Sequence, residues 1–269
     1  MSAATCTQTV ARQLGGANAL RAKASAKTRA PVRAKAARAE TGYEAPMFAP
    51  VTVGEDGIRG VFKKQPPRDD LPEVLVAGGG IAGLITALSM QRRGMKVKVF
   101  EKVKEYKLFG GPIQLQCNAQ GALDSIAPDV LEQIWAKSTI TGDRINGLLD
   151  GSLGDWFYRF DTRQPCYNNG LPLTLVIARY DLLDILRNAV GEENIMMETV
   201  VEKYENVGDK VRATLTTGET FEGDVLVGAD GIRSKMRAQM RNEDPENPPL
   251  AYAGYAVYTA ICDYSAPHR

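Results

Sequence analysis

Three glycines in the segment Gly78-Gly79-Gly80-Ile81-Ala82-Gly83 stand at the spacing Gly78-x-Gly80-x-x-Gly83, directly after the apolar run Val74 to Ala77. That spacing suits the pyrophosphate of a dinucleotide. The first glycine permits a tight turn, the second lets backbone approach phosphate oxygens, and the third lets a helix pack closely on a strand. A helix predicted from about Ile81 to Arg93 points the unpaired N–H groups of its first residues, Ile81 and Ala82, and the positive end of its dipole at the phosphates. Val97, Val99 and Phe100 read as a second strand, and Glu101-Lys102 follows it. Glu101 lies 18 residues beyond Gly83, where a carboxylate can accept from a ribose 2′-hydroxyl. An acid there favours FAD or NAD over a nucleotide carrying a 2′-phosphate.

A second group of polar residues follows another apolar strand, Val225 to Val227. Asp230-Gly231-x-x-Ser234-x-x-Arg237 places an acid and a glycine in a strand-to-helix turn, with Ser234 and Arg237 on the next helix. Read alone, Asp230 is a helix cap and Arg237 a solvated or pairing side chain. Arg179 opens a further helix with Leu182, Leu183 and Leu186 at core spacing, and it can pair with Asp181 or Asp184. Gln114, Gln116 and Asn118 follow Gly110-Gly111-Pro112; they offer amides to a ligand, and Asn118 equally suits the start of a helix.

These groups need strands and helices to hold them. Alternation changes along the chain from buried strands around the glycine turn to half-exposed ones farther on. Arg144 to Leu149 and Trp156 to Phe160 flank a turn at Asp150-Gly151-Ser152, and Val200 to Asn206 and Val211 to Thr216 flank one at Gly208-Asp209. The first hairpin, the run Leu173 to Ala178 and a strand over Ala251 to Cys262 are expected to share a substrate-binding sheet. Val74 to Gln91 is 18 residues without a charge, near the length of a membrane span, but its glycines and the acidic strand that follows argue for a buried strand and helix.

The formal net charge of +1 hides an asymmetry, because residues 1–39 hold eight Lys or Arg and no acid. Rich in Ala, Ser and Thr and free of acids until Glu40, residues 1–40 read as an organelle transit peptide, and residues 41–70 as a proline-containing linker. The leader's charges are dispersed and it has no aromatic residue to stack on bases, so a nucleic-acid arm is set aside and no nucleic-acid partner is expected. Cys6, Cys117, Cys166 and Cys262 have no metal-like spacing and read as free thiols. The single histidine, His268, excludes mechanisms that need a histidine base within a triad, and no metal site is expected.

The glycine fingerprint joined to the Asp230-Gly231 motif resembles the flavoprotein monooxygenases related to para-hydroxybenzoate hydroxylase. The segments YKLFGGPIQLQCNAQGALDSI, GDRINGLLDGSLGDWFYRFDT and DVLVGADGIRSKMR are similar to the plastid carotenoid epoxidases of that family, and the resemblance runs from about Leu71 to Asp263. It implies an α/β fold, a Rossmann-like FAD/NAD(P)-binding domain of GR2 type with an incomplete β-sheet substrate domain. The FAD-binding monooxygenase domain would cover residues 71–269, with substrate-sheet parts at about 144–178 and 250–269. It also implies FAD contacts from Gly78, Gly80, Ile81, Ala82, Gly83, Glu101, Lys102, Arg179, Asp230 and Gly231, with Arg237 as a structural anchor and the amides near Gly111 close to the flavin ring.

The activity implied is epoxidation of the xanthophylls zeaxanthin and antheraxanthin, with O2, and with electrons from NADPH through ferredoxin. The cofactor carries that chemistry, so no catalytic side chain is assigned. A plastid location is implied, in the stroma or on the thylakoid surface with peripheral membrane association. The family's later GD-containing motif does not occur before Arg269, and the chain is expected to be an N-terminal portion of a longer enzyme. An aromatic or quinone hydroxylase of the same fold, and a non-catalytic flavin-binding fragment, are the competing readings.

Overall fold

The computed structural model describes residues 66–106, 110–144, 146–169, 171–245, 250–254 and 256. Its first elements are β1 (Glu73–Ala77), α1 (Ile81–Arg92) and β2 (Lys96–Phe100), the strand, helix and strand expected around the glycine turn. A middle section comprises β3 (Pro112–Leu115), α2 (Cys117–Ile126), α3 (Pro128–Lys137), β4 (Thr139–Ile140), β5 (Asn146–Leu149), β6 (Trp156–Phe160), α4 (Arg163–Asn168) and β7 (Leu175–Ala178). The chain then re-enters the first unit through α5 (Arg179–Val190) and β8 (Ile195–Met196). A meander of β9 (Val201–Val207), β10 (Lys210–Leu215) and β11 (Thr220–Gly223) precedes β12 (Val225–Gly228) and α6 (Lys235–Arg241).

β1 is central in a parallel sheet of order β12-β1-β2-β8, with Val74 opposite Val225 on one side and Val97 on the other. Buried on both faces, β1 is apolar at successive positions from Val74 to Ala77, and alternation along β1 and β2 sends two sets of side chains into different cores. Val74, Val76, Val97 and Val99 pack with Leu84 and Leu88 of α1, Ile134 of α3, and Leu182, Leu183 and Leu186 of α5. Leu75, Ala77 and Phe100 face the other way, against Val201, Ala213 and Leu215 of the meander and Met236 of α6. The result is three layers, helices on one side of the sheet and a second antiparallel sheet on the other. Each fully buried Leu or Val contributes about 1.5–3 kcal/mol by leaving water, so the sheet that carries the glycine turn is the most strongly buttressed part of the molecule.

α2 carries a fully buried amide, Gln120. Its Nε2 donates to the carbonyls of Leu115 and Leu173, and its Oε1 accepts from Trp135 Nε1, at 2.9–3.1 Å. One side chain thereby ties the end of β3, the approach to β7 and helix α3 together. Cys117 and Cys166 are free thiols packed near each other, and burial pushes the Cys166 thiol up from its ordinary pKa; Cys6 and Cys262 lie outside the described residues.

Two expectations about the substrate sheet change. The hairpin forms at the expected strands, but β5 and β6 pair only with each other, whereas β7 pairs antiparallel with β3 and β4 in a separate sheet. A segment's own pattern can mark it as a strand but is silent about its partner, so neither the hairpin nor β7 announced its sheet. The third expected strand, Ala251 to Cys262, falls largely outside the described residues, and Leu250–Gly254 has no regular structure. The leader, residues 41–65 of the linker and His268 also lie outside them. Among the described residues no helix is long and apolar enough to cross a membrane.

Candidate functional site: a dinucleotide cleft

Each glycine of the turn answers a different constraint. Gly78 has φ +109°, and a Cβ there would stand 2.3 Å from the carbonyl oxygen of Ala229. At Gly83 a Cβ would lie 1.9 Å from the Gly78 carbonyl oxygen, so close packing of α1 on β1 requires glycine. Gly80 is different: its φ is −72° and a Cβ would meet nothing within 4 Å. Packing within the chain therefore does not demand glycine at this N-cap position, and the space beside it is open to a ligand. The first internal bond of α1 runs from Leu84 N–H to the Gly80 carbonyl, so the N–H groups of Ile81, Ala82 and Gly83 precede the ladder. No side chain caps this end and no acid occupies its first turn, which keeps the donors and the helix dipole available to an anion.

Glu101 extends β2 into the same region and is 7% exposed. Its Oε2 accepts from Gly79 N–H at 2.7 Å and its Oε1 from Val103 N–H at 3.0 Å. An ionised carboxylate offers about four acceptor sites, so two remain for a ligand hydroxyl after these backbone donors are served. Lys102 beside it is exposed on the cleft rim.

The Asp230-Gly231 turn faces the glycine turn because β12 lies beside β1. Asp230 Oδ1 accepts from Ser234 Oγ at 2.5 Å and its Oδ2 from Met236 N–H at 3.2 Å. Ser234 is the N-cap of α6 and not a residue within it, since its Oγ accepts from Arg237 N–H. Arg237 anchors the segment, donating to the Ile232 carbonyl and to Glu243. Gly231 has φ +87°, a conformation that favours glycine whatever the ligand.

Arg179 is the first residue of α5, as its position before the leucines implied. The two carboxylates proposed as its partners are engaged elsewhere: Asp181 pairs with Lys137 at 3.1 Å and Asp184 with Arg187 at 2.9 Å. The Arg179 stem lies against Gly110, where a Cβ would be 2.8 Å from its Cδ, and its residue lines the cleft. Asn118 does not cap α2, whose N-cap is Gln116 without a side-chain bond. Gln114, Gln116 and Asn118 are all exposed, and none lines the cleft.

The structure therefore brings together one cleft of about 500 Å³. Gly78, Gly80, Glu101, Lys102, Arg179, Asp230 and Gly231 line it. Ile81, Ala82 and Gly83 are not among its lining residues: Gly83 lies beneath the turn, Ala82 is exposed, and the Ile81 side chain packs against the core. The wall also includes Tyr106, Thr199, Arg233 and Lys235, which sequence reasoning left without a role. Arg233 and Lys235 stand in a motif already singled out, so charge next to Asp230-Gly231 was the signal available; Tyr106 and Thr199 have no motif spacing that announces them.

The FAD binding domain family model matches residues 72–252. The chain belongs to that family. A zeaxanthin epoxidase described as chloroplastic, from Spinacia oleracea, is 49% identical over 203 residues, covering 72% of this chain and 30% of its own length. Its counterpart from Solanum lycopersicum is 46% identical over 225 residues, covering 82% of this chain and 32% of its own length. The chain thus spans about a third of the curated relatives it matches. Among solved structures, 2-methyl-3-hydroxypyridine-5-carboxylic acid oxygenase aligns at TM-score 0.52 and 29% identity over 64% of this chain and 42% of that one. An HpxO variant from Klebsiella pneumoniae complexed with FAD aligns at TM-score 0.54 and 23% identity, over 63% of this chain and 42% of its own, and shares the fold.

Proposed function

We propose that this chain forms the FAD-binding part of a plastid monooxygenase that epoxidises the ring double bonds of zeaxanthin, giving antheraxanthin and then violaxanthin. The observation that carries the nucleotide half of this reading is the convergence, on one cleft, of the open face of Gly80, the free acceptor sites of Glu101 and the Asp230-Gly231 turn. The carotenoid half is supported by the 42–49% identity to chloroplastic zeaxanthin epoxidases.

The residues fit FAD as follows. The N–H groups of Gly80, Ile81 and Ala82 receive the pyrophosphate at the start of α1, and Glu101 accepts from a ribose hydroxyl. Lys102 adds positive charge beside the phosphates, Asp230 and Gly231 approach the ligand from the β12 side, and Arg179 extends toward the flavin end. Bound FAD supplies electron storage and oxygen activation, with NADPH as the electron source through ferredoxin. The protein's share is to orient the ring system and to keep water out, which requires no side-chain nucleophile and no histidine.

Two measurements test the reading. FAD released on denaturation of the purified chain reports cofactor binding, and a form extended to the length of the relatives, given zeaxanthin, reductant and O2, should yield antheraxanthin. Conversion of aromatic acids with zeaxanthin untouched would replace the epoxidase by a ring hydroxylase of the same fold.

A further inference from the structure

The Gly78-Gly79-Gly80 turn is the most freely rotating backbone a protein can place at a ligand site, yet its middle residue is held on both sides, through its N–H and through its carbonyl. Gly79 N–H donates to Glu101 Oε2 at 2.7 Å, and the Gly79 carbonyl accepts from Tyr106 Oη at 2.7 Å. The fit is mutual, because a Cβ on Gly79 would stand 2.5 Å from Tyr106 Oη and 2.9 Å from Glu101 Cβ. A glycine at the variable position of the motif is thereby accounted for by two side chains, not by the ligand. Tyr106 is itself anchored: its ring packs against the helical core, and the Arg187 guanidinium of α5 lies 6.0 Å from the ring centroid.

We propose that Tyr106 is a positioning residue for nucleotide binding, fixing together with Glu101 the two peptide units that flank Gly79, so that the phosphate-facing N–H groups of the turn are set in place before the ligand arrives. The inference rests on the FAD reading of the cleft. A turn ordered in advance does not spend binding energy on its own ordering, so the clamp appears as affinity. The donor is permanent under physiological conditions, since burial first and the Glu101 carboxylate second push the Tyr106 phenol up to about 12.

The test measures FAD and ADP binding to the full 269-residue chain by fluorescence quenching and calorimetry, well below its melting temperature. Tyr106→Phe keeps the ring and removes the donor, and should weaken both ligands about tenfold, the size of one lost hydrogen bond. A ring-fluorinated tyrosine at position 106, whose phenol ionises at lower pH, should bind both ligands normally while protonated and lose affinity as pH rises through its ionisation. The unsubstituted chain should stay level over that range. A tyrosine that only supports the fold would lower the melting temperature of Tyr106→Phe without this pH-dependent loss. Unchanged affinity in Tyr106→Phe, or a level profile for the fluorinated chain, overturns the clamp. Failure of the unsubstituted chain to bind either FAD or ADP overturns the FAD reading, and the clamp with it.

Discussion

Neighbouring glycines of the turn separate folding from binding. At Gly80 the backbone is in a conformation any residue adopts and a Cβ meets open space, so Gly80→Val should fold and remain colourless. Flavin absorbance after denaturation checks for bound FAD, and circular dichroism with thermal melting checks the fold. At Gly79 the added methyl meets Tyr106 and Glu101, so Gly79→Ala should lower the melting temperature even without ligand. Glu101 combines both roles. Glu101→Ala should weaken FAD by about 1–3 kcal/mol, the range for a hydrogen bond to a charged group, and should also destabilise the nucleotide-free chain because two backbone donors lose their acceptor. An FAD titration together with a denaturant melt separates the two effects. The turn at Gly78 and the close helix packing at Gly83 were legible from spacing alone. Tyr106 was not, because its hydrogen bond to Gly79 depends on how the chain turns after β2, and no periodicity records that path.

Among the elements, α6 shows how a motif residue can serve the fold and the cleft together. Asp230 holds Ser234 and the N–H of Met236, and Ser234 caps the helix through Arg237 N–H. Ser234→Ala should cost about 1 kcal/mol, the usual worth of such a cap, and should loosen Asp230 at the cleft; a urea melt with and without FAD would show a larger loss in the liganded state. Gln120 is the corresponding tie in the middle section. Gln120→Leu leaves two carbonyls and an indole N–H without their partner, so a loss of about 2–4 kcal/mol is expected in the same melt. Strand and helix identities were readable because period and length mark them. Sheet membership was not: a strand's own sequence does not name its partner, and only tertiary packing assigns β7 and the β5–β6 hairpin to different sheets.

For the whole molecule, the β5–β6 hairpin bears on substrate. Leu148, Phe157, Tyr158 and Phe160 are 46–66% exposed, on both faces of a two-stranded ribbon. Oxygen transfer to a carotenoid ring requires a site closed to water, and a ribbon open on both faces does not supply those walls. Residues 1–269 alone are therefore expected to give no antheraxanthin, whereas the form extended to the length of the relatives does; chromatographic separation of the carotenoids after incubation decides it. The leader belongs to the same scale. Removing residues 1–40 should leave the fold and FAD binding intact and abolish plastid import, checked with fluorescent fusions of the full chain and the shortened one.

The position of β1 at the centre of the parallel sheet has a consequence for assembly. Its neighbour β2 follows one helix later, but its other neighbour begins at Val225, opposite Val74. A chain entering a compartment from its N-terminus exposes the glycine turn, α1 and Glu101 early, and then waits until about 130 more residues have crossed before Asp230 can face them. Pairing over such a separation is slow, because the loop must close before any contact rewards it. Until β12 arrives, the apolar edge of β1 is open to any passing strand, so the interval between the two is when this chain most needs a holding partner and when the cleft proposed for FAD has only one of its sides.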